Sequence, residues 1–217
     1  MPTDQLLQQW INRAATSPLL DQIMASVTNF TAWRPLILLL ILLGFIFGKF
    51  RLRAMLFCLV ITIGFTDGIL VNSIKHIAKR PRPLQVAPGV RTVNLVQASP
   101  EIVALTSPAE VKFPKTVSPK SVTKGRSFPS GHSANMMAST AVIFLFYRRL
   151  GLLWFLIALL VCYSRIYVGA HWPTDVLTGI LLGLLSGVII TSLINNAWNR
   201  WGGRIAPTWA AAHPTLS

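Results

Sequence analysis

The sequence predicts an all-α fold, a polytopic transmembrane helical bundle with five spans plus an N-terminal amphipathic interfacial segment, and three observations predict it. The first is composition: 53% of the 217 residues are hydrophobic and 12% are charged, with a mean hydropathy of +0.56. The second is charge, since 20 Lys+Arg against 6 Asp+Glu leave a formal net charge of +14. Disorder needs low hydrophobicity, and nucleic-acid binders carry their basic residues on a charge-rich soluble surface. The combination therefore excludes both classes, and no nucleic-acid partner is expected. The third is the run pattern: Pro35 to Gly48, Ala54 to Ile74, Ser133 to Tyr147, Leu150 to Ser164 and Val176 to Ala197 are apolar, and Asp67 is the only charge in any of them.

Taken in order, residues 1–30 come first. Leu6, Leu7, Trp10, Ile11 and Ala14 form one helical stripe, and Leu19, Leu20, Ile23, Met24 and Val27 form a second after Pro18. Asp4, Arg13 and Asp21 interrupt the segment, so it lacks the basic start and apolar centre of a signal peptide. Two placements stay open: on the membrane surface, or packed as ordinary helices against the bundle. Residues 31–77 hold spans one and two, and residues 129–197 hold spans three to five. A helix needs about 20 residues to cross a hydrocarbon core of ~30 Å. The first, third and fourth runs are shorter, and span only if Arg34, Arg148 and Arg149 snorkel, with Trp33 and Trp172 at the interfaces. Cys58 and Cys162 sit inside apolar runs and read as small hydrophobes. Residues 198–217 form a tail, and the whole chain reads as one membrane-embedded domain, 1–217.

Residues 78–128 form the one long loop, rich in Pro, Val, Ser and Lys and without helical period. Long loops in compact domains are usually functional or disordered. Five crossings put this loop and the Arg165 to Pro173 connection on one side of the membrane. The loop carries nine cations, Lys79, Arg80, Arg82, Arg91, Lys112, Lys115, Lys120, Lys124 and Arg126, against seven in the short turns and tail. Counted literally, that places the loop in the cytoplasm. A site for anionic groups explains much of the excess instead.

Three clusters then stand at span ends on that side: Lys75 with Arg82-Pro83; Pro129-Ser130-Gly131-His132; and Ser164-Arg165 with His171 and Asp175. Phosphoryl transfer needs positive charge and N–H donors around the equatorial oxygens, a nucleophile in line and an acid for the leaving oxygen. Ser130, Gly131 and His132 open a helix, whose free N–H groups and dipole suit an anion. Lys75, Arg82 and Arg165 supply charge. Asp175 falls in the first turn of a helix begun by Pro173, within reach of His171, and a carboxylate on one ring N–H frees the other nitrogen as nucleophile. Lys79, Arg80, Arg91 and most loop lysines read as structural or lipid-facing. Asp67 lies eight residues, or ~12 Å of helix, from Lys75 and reads as a buried hydrogen-bonding acid. No ligand set for Mg²⁺ or Zn²⁺ is visible, and no cofactor is expected.

These motifs, Lys75-x6-Arg82-Pro83, Pro129-Ser130-Gly131-His132 and Ser164-Arg165-x5-His171-x3-Asp175, resemble the three-part signature of the type 2 phosphatidic acid phosphatase superfamily, with all eleven fixed positions in order. The resemblance implies a metal-independent membrane lipid phosphatase with its site at the extracytoplasmic face, in a bacterial inner (plasma) membrane. It implies that His171 attacks phosphorus to give a phosphohistidine, Asp175 orients it and His132 protonates the leaving group. Lys75, Arg82, Ser130, Gly131 and Arg165 would bind the phosphate. Membrane members commonly have six spans where five plus a surface helix are counted here. The partners implied are membrane lipids and a lipid phosphate: a prenyl diphosphate, a phosphatidyl phosphate or a lipid A phosphate. A lipid-to-lipid phosphotransferase would use every one of these residues. A non-enzymatic lipid carrier would not need His171 paired with Asp175, and vanadate-dependent haloperoxidases of the same superfamily are soluble.

Overall fold

The computed structural model describes residues 2–122 and 125–216, so Lys124 of the loop lies outside the described residues. The N-terminal segment forms α1 (Pro2–Gln9), a π-helical turn (Trp10–Ala14) and α2 (Pro18–Thr28). Pro18 opens α2 with Ser17 as its cap, the hydroxyl accepting from the Leu20 N–H at 3.2 Å. Asn29 does the same for α3 (Phe30–Phe47), accepting from the Ala32 N–H. Next come α4 (Phe50–Phe65), a π-helical turn (Thr66–Val71) and α5 (Asn72–Ala78) in one continuous rod. After a short α6 (Pro83–Val86), α7 (Gly131–Phe146), α8 (Arg148–Tyr167), α9 (Pro173–Ile205) and α10 (Pro207–Ala212) complete the chain.

Among the described residues, four helical stretches are long and apolar enough to cross a membrane: Phe30–Phe47, Phe50–Val86, Arg148–Tyr167 and Pro173–Ile205. The sequence reading counts five. The difference is α7, which has 16 residues, eleven of them buried. It is the axis of the bundle, wrapped by α4, α8 and α9.

Its closest approach is to α9. A Cβ on Gly179 would stand 2.5 Å from the Ser130 carbonyl oxygen, one on Gly183 2.2 Å from that of Ala134, and one on Gly187 2.7 Å from that of Ala138. Glycine every fourth residue on α9 thus meets a row at the same spacing on α7, backbone against backbone. The N-termini of the two helices are locked side by side, and the Ser130 N–H donates to the Asp175 carbonyl at 2.9 Å. Met137, Ala158, Cys162, Ile166 and Val176 pack below this junction. Val142, Phe146, Met55 and Cys58 fill the far end.

The 78–128 loop is more ordered than its composition suggests, and the fold is mostly helical instead of all-α. Strands β1 (Thr92–Leu95) and β2 (Ala109–Lys112) pair antiparallel, Thr92 opposite Lys112 and Leu95 opposite Ala109. Their register turns Val93 and Leu95 onto Met24 and Ala25 of α2 and onto Tyr167 and Val168. The hairpin therefore clamps α2 over the end of α8. Two buried ion pairs fasten the N-terminal helices to the loop, Asp4 with Arg80 and Asp21 with Arg91.

Candidate active site

The expected site residues gather at five helix ends on one side of the bundle. Lys75 lies in the last turn of α5 and Arg82 caps α6. Ser130, Gly131 and His132 begin α7, and Asp175 lies in the first turn of α9. Arg165 is in the last turn of α8. His171 follows a reversal at Gly169, φ 75°, in which the Arg165 carbonyl accepts the His171 N–H at 3.2 Å. That turn is why a six-residue separation brings the imidazole back beside the guanidinium. The charges of Arg165, His171, Lys75 and Arg82 all act on the His132 ring, so the clusters converge.

His171 is 2% exposed. Its Nδ1 lies 2.7 Å from the Ser127 carbonyl oxygen and 3.7 Å from Asp175 Oδ2. The nearer acceptor is the carbonyl, so Nδ1–H donates there and Nε2 keeps its lone pair. Asp175 stands directly beside the ring, as expected, and the Ser127 carbonyl is a second support. Asp175 Oδ2 accepts from the Ser127 hydroxyl at 2.5 Å and from the Trp172 N–H at 2.9 Å. It thus holds the residue that holds the histidine. Burial pushes the His171 imidazole down to about 4; Asp175 opposes that fall, and Arg165 and Arg82 add to it. The ring is neutral at physiological pH.

The cations face a gap in the protein's own charge. Arg165 is 9% exposed, its Nη1 bonds the Thr28 hydroxyl, and its Nε is buried without a partner. No acid pairs with it among the described residues. Lys75 and Arg82 are half-buried, and Arg126 joins them, acting on both while its Nη2 bonds Asn72 Oδ1. Ser130 Oγ accepts from the Ser133 N–H at 3.4 Å and its hydroxyl at 2.9 Å, which leaves the Ser130 hydroxyl hydrogen free to donate. The first N–H groups of α7 have no intrahelical acceptor. Convergent donors, unpaired guanidinium and a free imidazole nitrogen suit a tetrahedral anion held against a nucleophile.

Several residues depart from the sequence reading. Asp67 is exposed and makes no hydrogen bond among the described residues, where a buried hydrogen-bonding role is expected. Its Oδ1 and Lys75 Nζ both crowd Gly131, 3.0 and 3.3 Å from where a Cβ would stand, so the two charges are neighbours. The π-helical turn between them defeats the count of ~12 Å for a regular helix. Trp172, expected at a membrane interface, caps the start of α9 and is buried beneath Arg80, its Nε1–H donating to the Pro81 carbonyl at 2.9 Å. Of the two readings for Arg80, structural or lipid-facing, its bond to Asp175 favours the structural one. Ser127, Arg126 and Asp4 are missed altogether. Among the described residues, no three of His, Cys, Asp and Glu gather where they could hold a metal ion.

Comparison with known proteins bears on this arrangement. Phosphatidylglycerophosphatase B of Bacillus subtilis (strain 168) is 30% identical over 196 residues, which is 83% of this chain and 80% of that one. Lipid A 4'-phosphatase of Porphyromonas gingivalis is 34% identical over 90 residues, 41% of this chain and 36% of its own. The chain spans about a third of the length of several such relatives. The crystal structure of Aquifex aeolicus LpxE superposes with a TM-score of 0.60 at 26% identity, covering 86% of this chain and 93% of that one. A family model described as the PAP2 superfamily matches residues 51–199, from the start of α4 almost to the end of α9. All three motifs lie inside that stretch, and the chain belongs to the PAP2 superfamily.

Proposed function

We propose that this protein is an integral membrane phosphatase that hydrolyses a lipid-linked phosphate or diphosphate through a phosphohistidine. The observation that carries the reading is His171: a buried, neutral imidazole with Nδ1 tied to a main-chain carbonyl and Nε2 free beside Arg165 and Arg82. Nε2 attacks phosphorus as the bond to the leaving oxygen breaks, and His132 gives that oxygen its proton. Lys75, Arg82, Arg165, the Ser130 hydroxyl and the N–H groups of Gly131 and His132 hold the three equatorial oxygens. His132 then takes a proton from water, whose oxygen displaces His171 and releases inorganic phosphate. Substrates of this class include prenyl diphosphates, phosphatidyl phosphates and lipid A phosphates, the head groups named for the relatives.

The same reading makes the whole chain one membrane domain, with α7 as a fifth, protein-wrapped crossing and the site on the extracytoplasmic face of a bacterial inner membrane. α1 and α2 lie at the lipid surface. Because Asp175 is committed to Ser127, Trp172 and Arg80, the chemistry needs no divalent ion.

The test is release of inorganic phosphate by purified protein from a panel of single lipid phosphates and diphosphates, with and without EDTA. Release from at least one lipid, resistant to EDTA and lost in His171→Ala, is expected. Phosphate appearing only when a second lipid supplies an acceptor hydroxyl would make the protein a transferase, and activity surviving in His171→Ala would sink the mechanism.

A further inference from the structure

Asp175 is held from the side away from His171. Its Oδ1 accepts from Arg80 Nη1 at 2.6 Å, and the other nitrogen of that guanidinium, Nη2, bonds Asp4 Oδ2. Thr174 Oγ1 closes the arrangement, accepting from Arg80 Nη1 at 2.7 Å and donating to Asp4 Oδ2 at 2.7 Å. The Asp4 and Asp175 side chains are 2% and 0% exposed. Two carboxylates that have left water need a cation with fork geometry between them, and Arg80 supplies it.

The main chain of Arg80 does a second job. Its carbonyl accepts the Ser127 N–H at 2.9 Å, and Ser127 in turn holds His171 Nδ1. The approach is close because residue 125 is glycine, where a Cβ would stand 2.4 Å from the Arg80 carbonyl oxygen. Lys79, in the left-handed region at φ 46°, turns the chain off α5 just before Arg80. Arg80 therefore contacts both supports of the imidazole, the Asp175 carboxylate by its side chain and Ser127 by its backbone.

The placement of Asp4 is unusual for an amphipathic helix. Asp4, Gln8 and Asn12 form the buried stripe of the N-terminal helix, while Leu6 and Trp10 are 66% and 62% exposed. A helix on a water-soluble protein turns its apolar stripe inward. Here the polar stripe goes in and delivers Asp4 to Arg80 and to the Thr174 N–H at 3.0 Å.

We infer that Arg80, locked by Asp4, is the positioning residue of the His171–Asp175 pair, so that the N-terminal helix is part of the catalytic apparatus. The inference rests on His171 being the nucleophile. Arg80 stands behind Asp175, and the phosphate is bound by other residues, so loss of Arg80 changes turnover and not substrate binding.

The experiment is steady-state kinetics of full-length Asp4→Asn, Arg80→Gln and Arg80→Lys, with Asp21→Asn as control. Asp21 makes the second buried ion pair between the N-terminal helices and the loop, and touches nothing bonded to Asp175. A misplacement of about 1 Å costs on the order of 10² in rate. Arg80→Gln should lower kcat by about 10² and Asp4→Asn by about 10, with KM within about threefold and partial rescue in Arg80→Lys. Asp21→Asn should fall no further than about twofold. The acid limb of kcat/KM carries a sign that mere loosening would not produce. Removing the Arg80 charge favours imidazolium and moves the limb up; removing the Asp4 charge moves it down. The other groups acting on His171, namely Asp175, Arg82, Arg165 and His132, are unchanged in both variants. If Arg80→Gln fails to fold, Asp4→Asn decides alone. Equal losses in Asp4→Asn and Asp21→Asn, a change confined to KM, or an upward or absent limb shift in Asp4→Asn would overturn the inference. Full activity in His171→Ala would instead overturn the reading on which it rests.

Discussion

The two ends of α8 carry the same residue type in opposite settings. At its start Arg148 and Arg149 stand exposed beside an open cavity lined by Arg51, Leu52, Phe146 and Tyr147, with Arg51 stacked 4.8 Å over the Tyr147 ring. In its last turn Arg165 is buried, with a bond to a threonine hydroxyl and, among the described residues, no acid. An exposed arginine keeps its water and adds little to stability. A buried, unpaired guanidinium pays desolvation with no return inside the protein, and persists where an outside anion completes it. The difference separates exposed cations of the bundle from a buried one that, on the proposed function, awaits the substrate phosphate.

The sharpest break of that contrast comes from alanine at each end. Arg165→Ala should cost on the order of 10²–10³ in kcat/KM for phosphate release, the loss of one preorganised charge. The double variant Arg148→Ala/Arg149→Ala should stay within about twofold. Comparable losses at both ends, measured on one lipid phosphate, would erase the distinction.

Next in size is the leaving-group test. His132→Ala should lower turnover of a lipid monoester by about 10² and spare an aryl phosphate, whose leaving oxygen needs no proton. Equal losses on the two substrates would remove His132 from the acid's role.

The acid limb sharpens the picture of His171. With its imidazole held at about 4, activity limited by that group is full at neutral pH and falls only as pH drops through about 4. Asp175→Asn removes the charge that favours imidazolium, so the limb should move lower still, read as the shift between variant and parent on one substrate. Stability follows the same sign. The unfolded chain takes up this proton near 6.5 and the native one near 4, so stability is lost as pH falls between those values.

The smallest effect belongs to the loop lysines. Lys112 is exposed and paired with Glu110 at 2.7 Å, and Lys115 is exposed. Replacing Lys112, Lys115, Lys120 and Lys124 with Gln should raise KM a few-fold at low salt, with kcat unchanged, and the difference should vanish at high salt, where screening falls to ~3 Å at 1 M. A salt-independent fall in kcat would move these lysines into the site.

That the eight expected residues gather in one place was legible because each motif sits where a helix begins or ends, and helix ends are written in Pro, Ser, Gly and Asp. Tertiary contacts that complete the site carry no such mark. Ser127 holds His171 through its carbonyl, which any residue possesses, its hydroxyl meets Asp175 only across 48 positions, and Arg80 looks like every other basic residue of the loop until Asp4 arrives from 76 positions away. The β1–β2 hairpin was hidden because Thr92–Leu95 and Ala109–Lys112 are four-residue strands, too short for alternation to register. The length of α7 is ambiguous in another way: a helix enclosed by protein is freed from the bilayer's thickness, so 16 residues neither establish nor exclude a crossing. The glycines at 179, 183 and 187 recur every fourth residue, a spacing the sequence reading does not use, and they fix the pairing of α7 with α9.

Those glycines have a mechanical consequence. Backbone in contact with backbone cannot be compressed, so α7 and α9 move together as one stiff beam carrying Ser130, Gly131, His132 and Asp175 at its tip. A bilayer thicker or thinner than the protein forces some helix to tilt. The soft member is α3, with 6% of its residues buried and its start only edging the site through Phe30 and the His132 ring, 6.5 Å apart. Deformation from the lipid is expected first at this periphery, leaving the spacing among Ser130, Gly131, His132 and Asp175 constant from one membrane composition to the next.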